Sequence, residues 1–454
     1  MQSLSDFVSR ASDFVWGPFL LIPLLLITGL YLTLRLKGLQ FTQLWHSLWL
    51  ALIVRREPGG AGDISHFQAL MTALAATVGT GNIVGVATAI ALGGPGALFW
   101  MWMTGLVGMA TKYSEALLSV RFRVPDGRGG QSGGPMYYLT NGIPGIGRPL
   151  GLLFALFAAV AAFGIGNMVQ SNAVALAVRG SFGVPVWASG LVMAGAAAAV
   201  ILGGIRSIGR FTGFFVPIMI GGYMLGAGAI LVRHAADVPA AFGLIFEGAF
   251  SGTAATGGFV GAALAQAIRF GVARGIFSNE SGLGSAGIAA AAAKTLEPAR
   301  QALVSMTQTF IDTLVVCTFT GLALIVTGVW SSGLEGPLMT QQAFIEGLGV
   351  GWGGHIVTVG LSMFAFSTIL GWSYYGEKSV EFLVGYRSVL PYRMVFVTAV
   401  FFGAIYRLDF VWTLSDVMNG LMALPNLVGL LLLSGVVASE TREYLRGRRY
   451  HGGL

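Results

Sequence analysis

Charged side chains are scarce in this sequence. Asp, Glu, Lys and Arg together make up 10% of its 454 residues, whereas hydrophobic residues make up 55%. A water-soluble globule of this length needs far more polar surface to cover its apolar core. The composition therefore excludes a soluble globular protein and predicts an all-α integral membrane protein surrounded by membrane lipid.

Cysteine and histidine are also rare, with one and five residues. As the single cysteine, Cys317 cannot form a disulfide within the chain, and its apolar surroundings indicate a small buried side chain. The apolar segments carry no His cluster, no metal motif and no pair of a nucleophile and a base, which argues against an enzyme. The net charge of +7 comes from scattered basic residues rather than a stripe, which argues against a nucleic-acid partner.

Long apolar runs recur along the whole chain, and they predict about eleven transmembrane helices. The centres of these helices lie near residues 25, 80, 108, 165, 195, 220, 275, 313, 368, 398 and 425. With this assignment about 19 Lys and Arg residues lie on one side of the membrane and about four on the other. Since basic loops face the cytoplasm, we expect a multi-pass protein of a prokaryotic plasma membrane (the inner membrane), with the N-terminus outside and the C-terminus cytoplasmic.

Glycine, in contrast, is abundant, with 68 residues concentrated in the apolar runs. The segments Gly79-Thr-Gly-Asn-Ile-Val-Gly and Gly282-Leu-Gly-Ser-Ala-Gly-Ile read alike and lie about five predicted spans apart. An odd offset gives the two segments opposite orientations, which is typical of transporters built from inverted repeats with two broken helices. Small residues that only permit close helix packing are the alternative explanation.

This pattern predicts the organisation of the chain. An extra N-terminal helix and its connector occupy residues 1–60, two inverted repeats of five helices each occupy residues 61–235 and 236–440, and a basic cytoplasmic tail occupies residues 441–454.

A broken membrane helix exposes backbone amides at the start of one half and carbonyls at the end of the other. Such a break suits a zwitterion, because the amides favour a carboxylate and the carbonyls favour an ammonium group or a sodium ion. We therefore expect the amides of residues 79–82 to hold a substrate carboxylate. The carbonyls at the second break, near residues 279–285, are expected to hold the amine.

Several polar side chains lie at membrane depth. Burial of the charged Glu280 side chain in a membrane costs free energy, which indicates a role for this residue. The sequence leaves three roles open: a cap for the second break, a proton carrier, or a partner of Arg274. Lys112 and Glu115 are three residues apart and are interpreted as a local ion pair near the cytoplasmic edge without a role in transport.

Three further positions have two interpretations each. Gln170 is expected either to contact the substrate or to bond a neighbouring helix. Ser367 and Thr368 offer adjacent hydroxyl oxygens for a hard cation, although such hydroxyls also bond their own backbone. Trp372 is interpreted as an apolar wall of the pocket or as a packing residue.

The chain resembles the alanine or glycine:cation symporter family over nearly its whole length. The matching stretches are Val78-Gly-Thr-Gly-Asn-Ile-Val-Gly-Val-Ala, Lys112-Tyr-Ser-Glu-Ala, Gly133-Gly-Pro-Met-Tyr-Tyr, Gly164-Ile-Gly-Asn-Met-Val-Gln and Gly275-Ile-Phe-Ser-Asn-Glu-Ser-Gly-Leu-Gly-Ser-Ala. The resemblance implies the five-plus-five inverted-repeat fold of sodium-coupled amino-acid transporters with an extra N-terminal helix.

The resemblance also implies roles for individual residues. The substrate site would consist of Gly79, Thr80, Gly81, Asn82, Gln170, Phe277, Ser278 and Trp372. A co-transported sodium ion would be held by the carbonyls of Ala75, Val78 and Phe364 and by the hydroxyls of Ser367 and Thr368.

The predicted function is sodium-coupled import of a small neutral amino acid, alanine or glycine, by alternating access. Phe277 and Trp372 leave room for little more than a methyl side chain, so leucine should be excluded. The alternatives are a proton-coupled symporter that uses Glu280 and a transporter-like receptor or channel that binds an amino acid without concentrating it.

Overall fold

The computed structural model describes residues 2–17, 19–57, 59–126, 129–250, 260–406 and 408–450. Residues 251–259 of the predicted second repeat and residues 451–454 of the predicted tail therefore lie outside the described residues.

The first half of the chain is helical apart from one small hairpin. Its helices are α1 (Gln2–Val15), α2 (Leu21–Arg35), α3 (Leu39–Thr42), α4 (Leu44–Trp49), α5 (His66–Thr77), α6 (Val86–Gly93), α7 (Gly96–Arg121), α8 (Pro135–Gly142), α9 (Gly147–Phe163), α10 (Val169–Phe182), α11 (Val186–Ile201) and α12 (Gly204–Arg233). The hairpin pairs β1 (Val124–Pro125) antiparallel with β2 (Gln131–Ser132).

The second half continues in the same way. Its helices are α13 (Val238–Phe250), α14 (Val260–Asn279), α15 (Ser285–Ala291), α16 (Pro298–Thr309), α17 (Thr318–Val326), α18 (Gly336–Leu348), α19 (Gly353–Val384), α20 (Val389–Ile405), α21 (Asp409–Leu432) and α22 (Ser434–Tyr450). Short π-helical segments occupy Leu50–Val54, Gly81–Gly85, Gly164–Met168 and Phe310–Cys317, and 3₁₀ turns occupy Val329–Ser331 and Tyr386–Ser388.

Several of these helices are long and apolar enough to cross a membrane. Among the described residues these are Gly147–Phe182, Gly204–Arg233, Pro298–Val326, Gly353–Val384, Tyr386–Ile405 and Phe410–Leu432. The bent pair His66–Thr77 and Gly81–Gly93 is also long and apolar enough if its two helices count as one span. Shorter apolar helices such as Leu21–Arg35 and Val186–Ile201 accompany them. Ten of the predicted span centres lie within a helix, and the centre at Thr80 lies at the bend of the bent pair.

Burial differs between the long helices and places α19 near the centre of the molecule. The most apolar part of α19 is 72% buried, whereas that of α12 is 28% buried. The exposed apolar side chains of α12, such as Leu225 and Val232, match a helix whose outer face meets lipid. The candidate site therefore belongs on α19 and its neighbours.

Helices occupy both ends of the described chain. α1 packs against α21, and the indole of Trp16 donates to the carbonyl of Asp416 at 2.9 Å. The last helix, α22, runs from Ser434 to Tyr450 and includes the first part of the predicted basic tail.

Glycines permit close packing as well as broken helices. A Cβ on Gly271 of α14 would lie 2.3 Å from the carbonyl oxygen of Ala97, and one on Gly275 would lie 2.3 Å from Oγ1 of Thr104. Both explanations of the glycine content therefore apply, at different positions of the chain.

Candidate substrate and cation site

The first break separates α5 from the π-helical segment Gly81–Gly85, and the two halves of the pair differ in direction by 53°. The side chain of Asn82 folds back, so that its Oδ1 accepts the amide of Gly79 at 2.9 Å. The amides of Thr80 and Gly81 have no acceptor among the described residues, as expected for the first turn of a helix. These two amides form the positive end of the helix, which favours an anionic group.

The second break lies between α14 and α15, where the backbone is left-handed at three positions. Gly282 and Gly284 have φ of +94° and +86°, and Glu280 has φ of +55°. A non-glycine residue in this region is strained, so the surrounding contacts must hold it.

Glu115 of α7 supplies such contacts. Its Oε1 accepts the amides of Gly282 at 2.9 Å and Gly284 at 3.0 Å, and it also accepts the side-chain amide of Asn426 at 2.8 Å. Lys112 donates to the carbonyl of Glu280 at 3.0 Å and lies 3.8 Å from Glu115. The predicted pair exists, and both side chains also hold the backbone of the second break.

The side chain of Glu280 has other partners than those expected. Its carboxylate accepts the indole N–H of Trp372 at 2.9 Å and the hydroxyl of Ser285. No hydrogen bond or ion pair links it to Arg274 within the described residues, so that interpretation is wrong. Glu280 ties the second break to α19 through a side chain, and Glu115 caps the backbone amides.

Asp312 is a residue that the sequence reasoning missed. It is fully buried in the π-helical segment Phe310–Cys317, and it accepts hydrogen bonds from Asn82 at 2.8 Å and from Ser278 at 2.8 Å. Asp312 therefore connects the two breaks to each other. A single acid in an otherwise apolar run was the available signal.

A small cavity of about 20 Å³ lies between the two breaks. Six of the eight predicted substrate residues line it: Gly79, Thr80, Gly81, Gln170, Phe277 and Trp372. Ala76, Thr77, Ile165, Glu280, Thr368 and Asn419 complete its wall. A volume of this size holds about one water molecule, so a substrate must push the walls apart as it enters.

Asn82 and Ser278, the other two predicted substrate residues, do not line this cavity. Both side chains are engaged with Asp312, and Asn82 also holds the amide of Gly79. Their contribution in this structure is to fix the breaks, because their polar groups already have partners.

The five predicted sodium ligands come together around Ser367. Its hydroxyl lies 3.1 Å from the carbonyl oxygen of Ala75, 3.5 Å from that of Val78 and 2.8 Å from that of Phe364. Oγ1 of Thr368 lies 3.1 Å from the carbonyl oxygen of Phe364. Five neutral oxygens in one buried cluster are ligands of the kind that a hard cation prefers.

A larger vestibule of about 550 Å³ adjoins the cavity. Thr80 and Phe277 line both spaces, and Arg274, Gln341 and Trp412 line the vestibule alone. The vestibule is also lined by residues of α18, among them Leu338 and Gln341.

Backbone pairing joins the segment ahead of α5 to the segment after α15. The amide of Asp63 donates to the carbonyl of Ala292 at 2.7 Å, and the amide of Lys294 donates to the carbonyl of Ile64 at 2.8 Å. The guanidinium of Arg123 spans both segments and donates to the carbonyls of Ala61, Ala291, Ala293 and Thr295 at 2.7 to 3.1 Å. We call this set of contacts the Arg123 clasp.

Known proteins resemble the chain over almost its whole length. The family model described as "Sodium:alanine symporter family" matches residues 1–452. Sodium/alanine symporter AgcS of Methanococcus maripaludis is 54% identical over 448 residues, which cover 97% of this chain and 97% of that protein. Probable sodium/glutamine symporter GlnT of Bacillus subtilis is 37% identical over 453 residues, which cover 99% of this chain and 92% of that protein.

Solved structures give the same fold at much lower sequence identity. The crystal structure of MhsT in complex with L-phenylalanine has a TM-score of 0.51 and 12% identity, and the match covers 84% of this chain and 100% of that one. This likeness concerns the fold alone.

Proposed function

Since the chain belongs to the sodium:alanine symporter family, we propose that it imports a small neutral amino acid, alanine or glycine, together with sodium by alternating access. The amides of Thr80 and Gly81 bind the substrate carboxylate, and the oxygen cluster around Ser367 binds the sodium ion. Phe277 and Trp372 enclose the side chain of the substrate.

The observation that carries this proposal is the shared wall of the two sites. Thr368 lines the cavity and belongs to the oxygen cluster. Val78, whose carbonyl belongs to the cluster, directly precedes Gly79 in the cavity wall. A sodium ion that orders residues 75–78 thereby also orders the adjoining amides, which couples the binding of the two solutes.

The proposal includes the architecture and orientation of the chain. Eleven spans comprise one extra helix and two inverted repeats of five, with the N-terminus outside and the C-terminus in the cytoplasm of a prokaryotic cell. The vestibule then faces outside, and the Arg123 clasp closes the cytoplasmic end. One sodium ion that moves inward across 100 mV supplies about 2.3 kcal/mol, and its concentration gradient adds to this driving force.

The test is uptake of labelled alanine into proteoliposomes of the purified protein. Accumulation is expected with an inward sodium gradient and not when potassium replaces sodium. Accumulation driven by a proton gradient without sodium would instead support proton coupling, which the position of the Glu280 carboxylate in the cavity wall favours. Binding without accumulation would identify a receptor.

Selectivity for small side chains is a first prediction. Leucine, supplied at the same concentration as labelled alanine, should leave alanine uptake nearly unchanged, because the bulky side chains of Phe277, Trp372 and Ile165 line the cavity wall and must move further for a larger side chain. Unlabelled alanine is the positive control. Inhibition by leucine as strong as that by unlabelled alanine would contradict the proposed fit.

The sodium requirement is a second prediction. The double variant Ser367→Ala/Thr368→Ala removes two of the five oxygens, so the sodium concentration for half-maximal uptake should rise about tenfold or more, with little change in selectivity. Ser362→Ala is the matched control on the same helix, because that hydroxyl bonds the carbonyl of Thr358. Unchanged sodium dependence of the double variant would refute the assignment.

A further inference from the structure

Asn419 of α21 is a buried amide whose acceptor has no partner. Its side chain is 2% exposed, it lines the cavity between the breaks, and its Oδ1 accepts no hydrogen bond among the described residues. A buried acceptor without a donor costs free energy, so its retention needs an explanation.

The lack of a hydrogen-bond donor for Asn419 contrasts with the environment of Asn426 on the same helix. Ser415, Asn419 and Asn426 lie on one face of α21, and all three are buried. Asn426 is fully engaged at the second break, where it donates to Glu115 and to the carbonyl of Gly282 at 2.8 Å each. Asn419, two turns earlier, points instead to the space between the breaks.

Gln170 presents a second free acceptor to the same cavity. Its Nε2 donates to the carbonyl of Ile165 at 2.9 Å and to the hydroxyl of Thr80 at 3.4 Å, which fixes the orientation of the amide. Its Oε1 is then left buried without a donor. Two unpartnered amide oxygens from different helices thus line one small cavity.

The carbonyls at the second break, by contrast, are already engaged. The carbonyl of Asn279 accepts from Gln308 at 3.2 Å, that of Glu280 accepts from Lys112, and that of Gly282 accepts from Asn426. These three carbonyls were expected to hold the amine, and their existing partners make them poor acceptors for it.

We propose that the side-chain oxygens of Asn419 and Gln170 bind the ammonium group of the transported amino acid, while the amides of Thr80 and Gly81 bind its carboxylate. This inference rests on the proposed function and names the residues that recognise the amine. An ammonium group brings three donors into a site without bulk water, so neutral oxygens that lack donors are suitable partners. A ligand with a carboxylate at one end and an ammonium at the other then satisfies both sets of free groups.

The test compares Asn419→Leu with Asn419→Asp in sodium-driven uptake of alanine. The Leu side chain keeps the approximate shape and removes the acceptor, so the KM for alanine should rise about 10- to 100-fold. The Asp side chain keeps an acceptor at the same place, so the KM should stay within a few-fold of wild type. Sodium-dependent thermal stabilisation of each purified variant should persist, because the sodium ligands are untouched.

A residue that only packs would give the opposite order. Leu would then be tolerated and the buried charge of Asp would be the more damaging change, and this result would overturn the inference. Unchanged KM in both variants would overturn it as well. If wild-type protein itself takes up no alanine with sodium, the proposed function fails. If wild-type protein takes up alanine and the KM of the Leu variant is unchanged, only the inference about Asn419 is wrong.

Discussion

Alanine in place of Gly166 is expected to reduce alanine uptake by at least about tenfold while the protein still folds. A Cβ at this position would lie 2.3 Å from Cβ and 2.4 Å from Cγ of Trp372. Trp372 is 1% exposed, lines the cavity and donates its indole N–H to Glu280, so a shift of its ring changes either the cavity or this hydrogen bond. The added methyl group should push the indole into the cavity or away from Glu280, at a cost of about 1–3 kcal/mol of stability.

Uptake and thermal unfolding in detergent are measured on the same preparation. Gly195→Ala is the matched control, because it also adds a methyl group to a helix but has no atom within 4 Å of the new Cβ. The control should transport like wild type. Normal transport by Gly166→Ala would mean that the position of Trp372 does not define the site.

The largest loss of stability is expected for Glu115→Leu. Glu115 is fully buried and accepts two backbone amides of the second break beside the buried ammonium of Lys112. Its removal leaves those amides without their acceptor and the Lys112 charge without its counter-ion, which typically costs about 3–5 kcal/mol. We expect little folded protein after extraction, as judged by size-exclusion chromatography and thermal unfolding.

Two further variants separate charge from hydrogen bonding. Glu115→Gln keeps an acceptor oxygen for the break and should be less damaging than Glu115→Leu. The double variant Lys112→Met/Glu115→Leu removes both charges and should recover part of the stability. If the double variant is no better than Glu115→Leu, the uncompensated Lys112 charge is not the cause of the loss.

The two breaks were predictable from the sequence because their glycines allow backbone conformations or close contacts that other residues avoid. Gly282 and Gly284 do have positive φ, and Gly79 follows the end of α5, where a Cβ would lie 2.5 Å from Oγ1 of Thr368. Four of the substrate residues that line the cavity, Gly79, Thr80, Gly81 and Phe277, lie in or beside these breaks, whereas Gln170 and Trp372 come from α10 and α19. Local signals of this kind depend on a few consecutive residues, so they can be recognised without the tertiary structure.

The residues that were missed act across long distances in sequence. Glu115 and Lys112 look like a local pair from their spacing, but their partners are residues 280–284, which are more than 160 positions away. Asp312 and Asn419 each lie in an apolar run. Only the structure shows that Asp312 bonds residues of both breaks and that Asn419 lines the cavity between them. Spacing within a helix carries no information about which other helix packs on that face.

The Arg123 clasp has a consequence for how its end of the molecule opens. All four acceptors of the guanidinium are main-chain carbonyls, two of which belong to Ala291, the last residue of α15, and to Ala293. Three of these acceptors lie in residues 291–295 and the fourth is Ala61, so the guanidinium can stay with only one of the two segments if they separate. Separation of the segments therefore costs at least one charge-assisted hydrogen bond in addition to the backbone pairs between them.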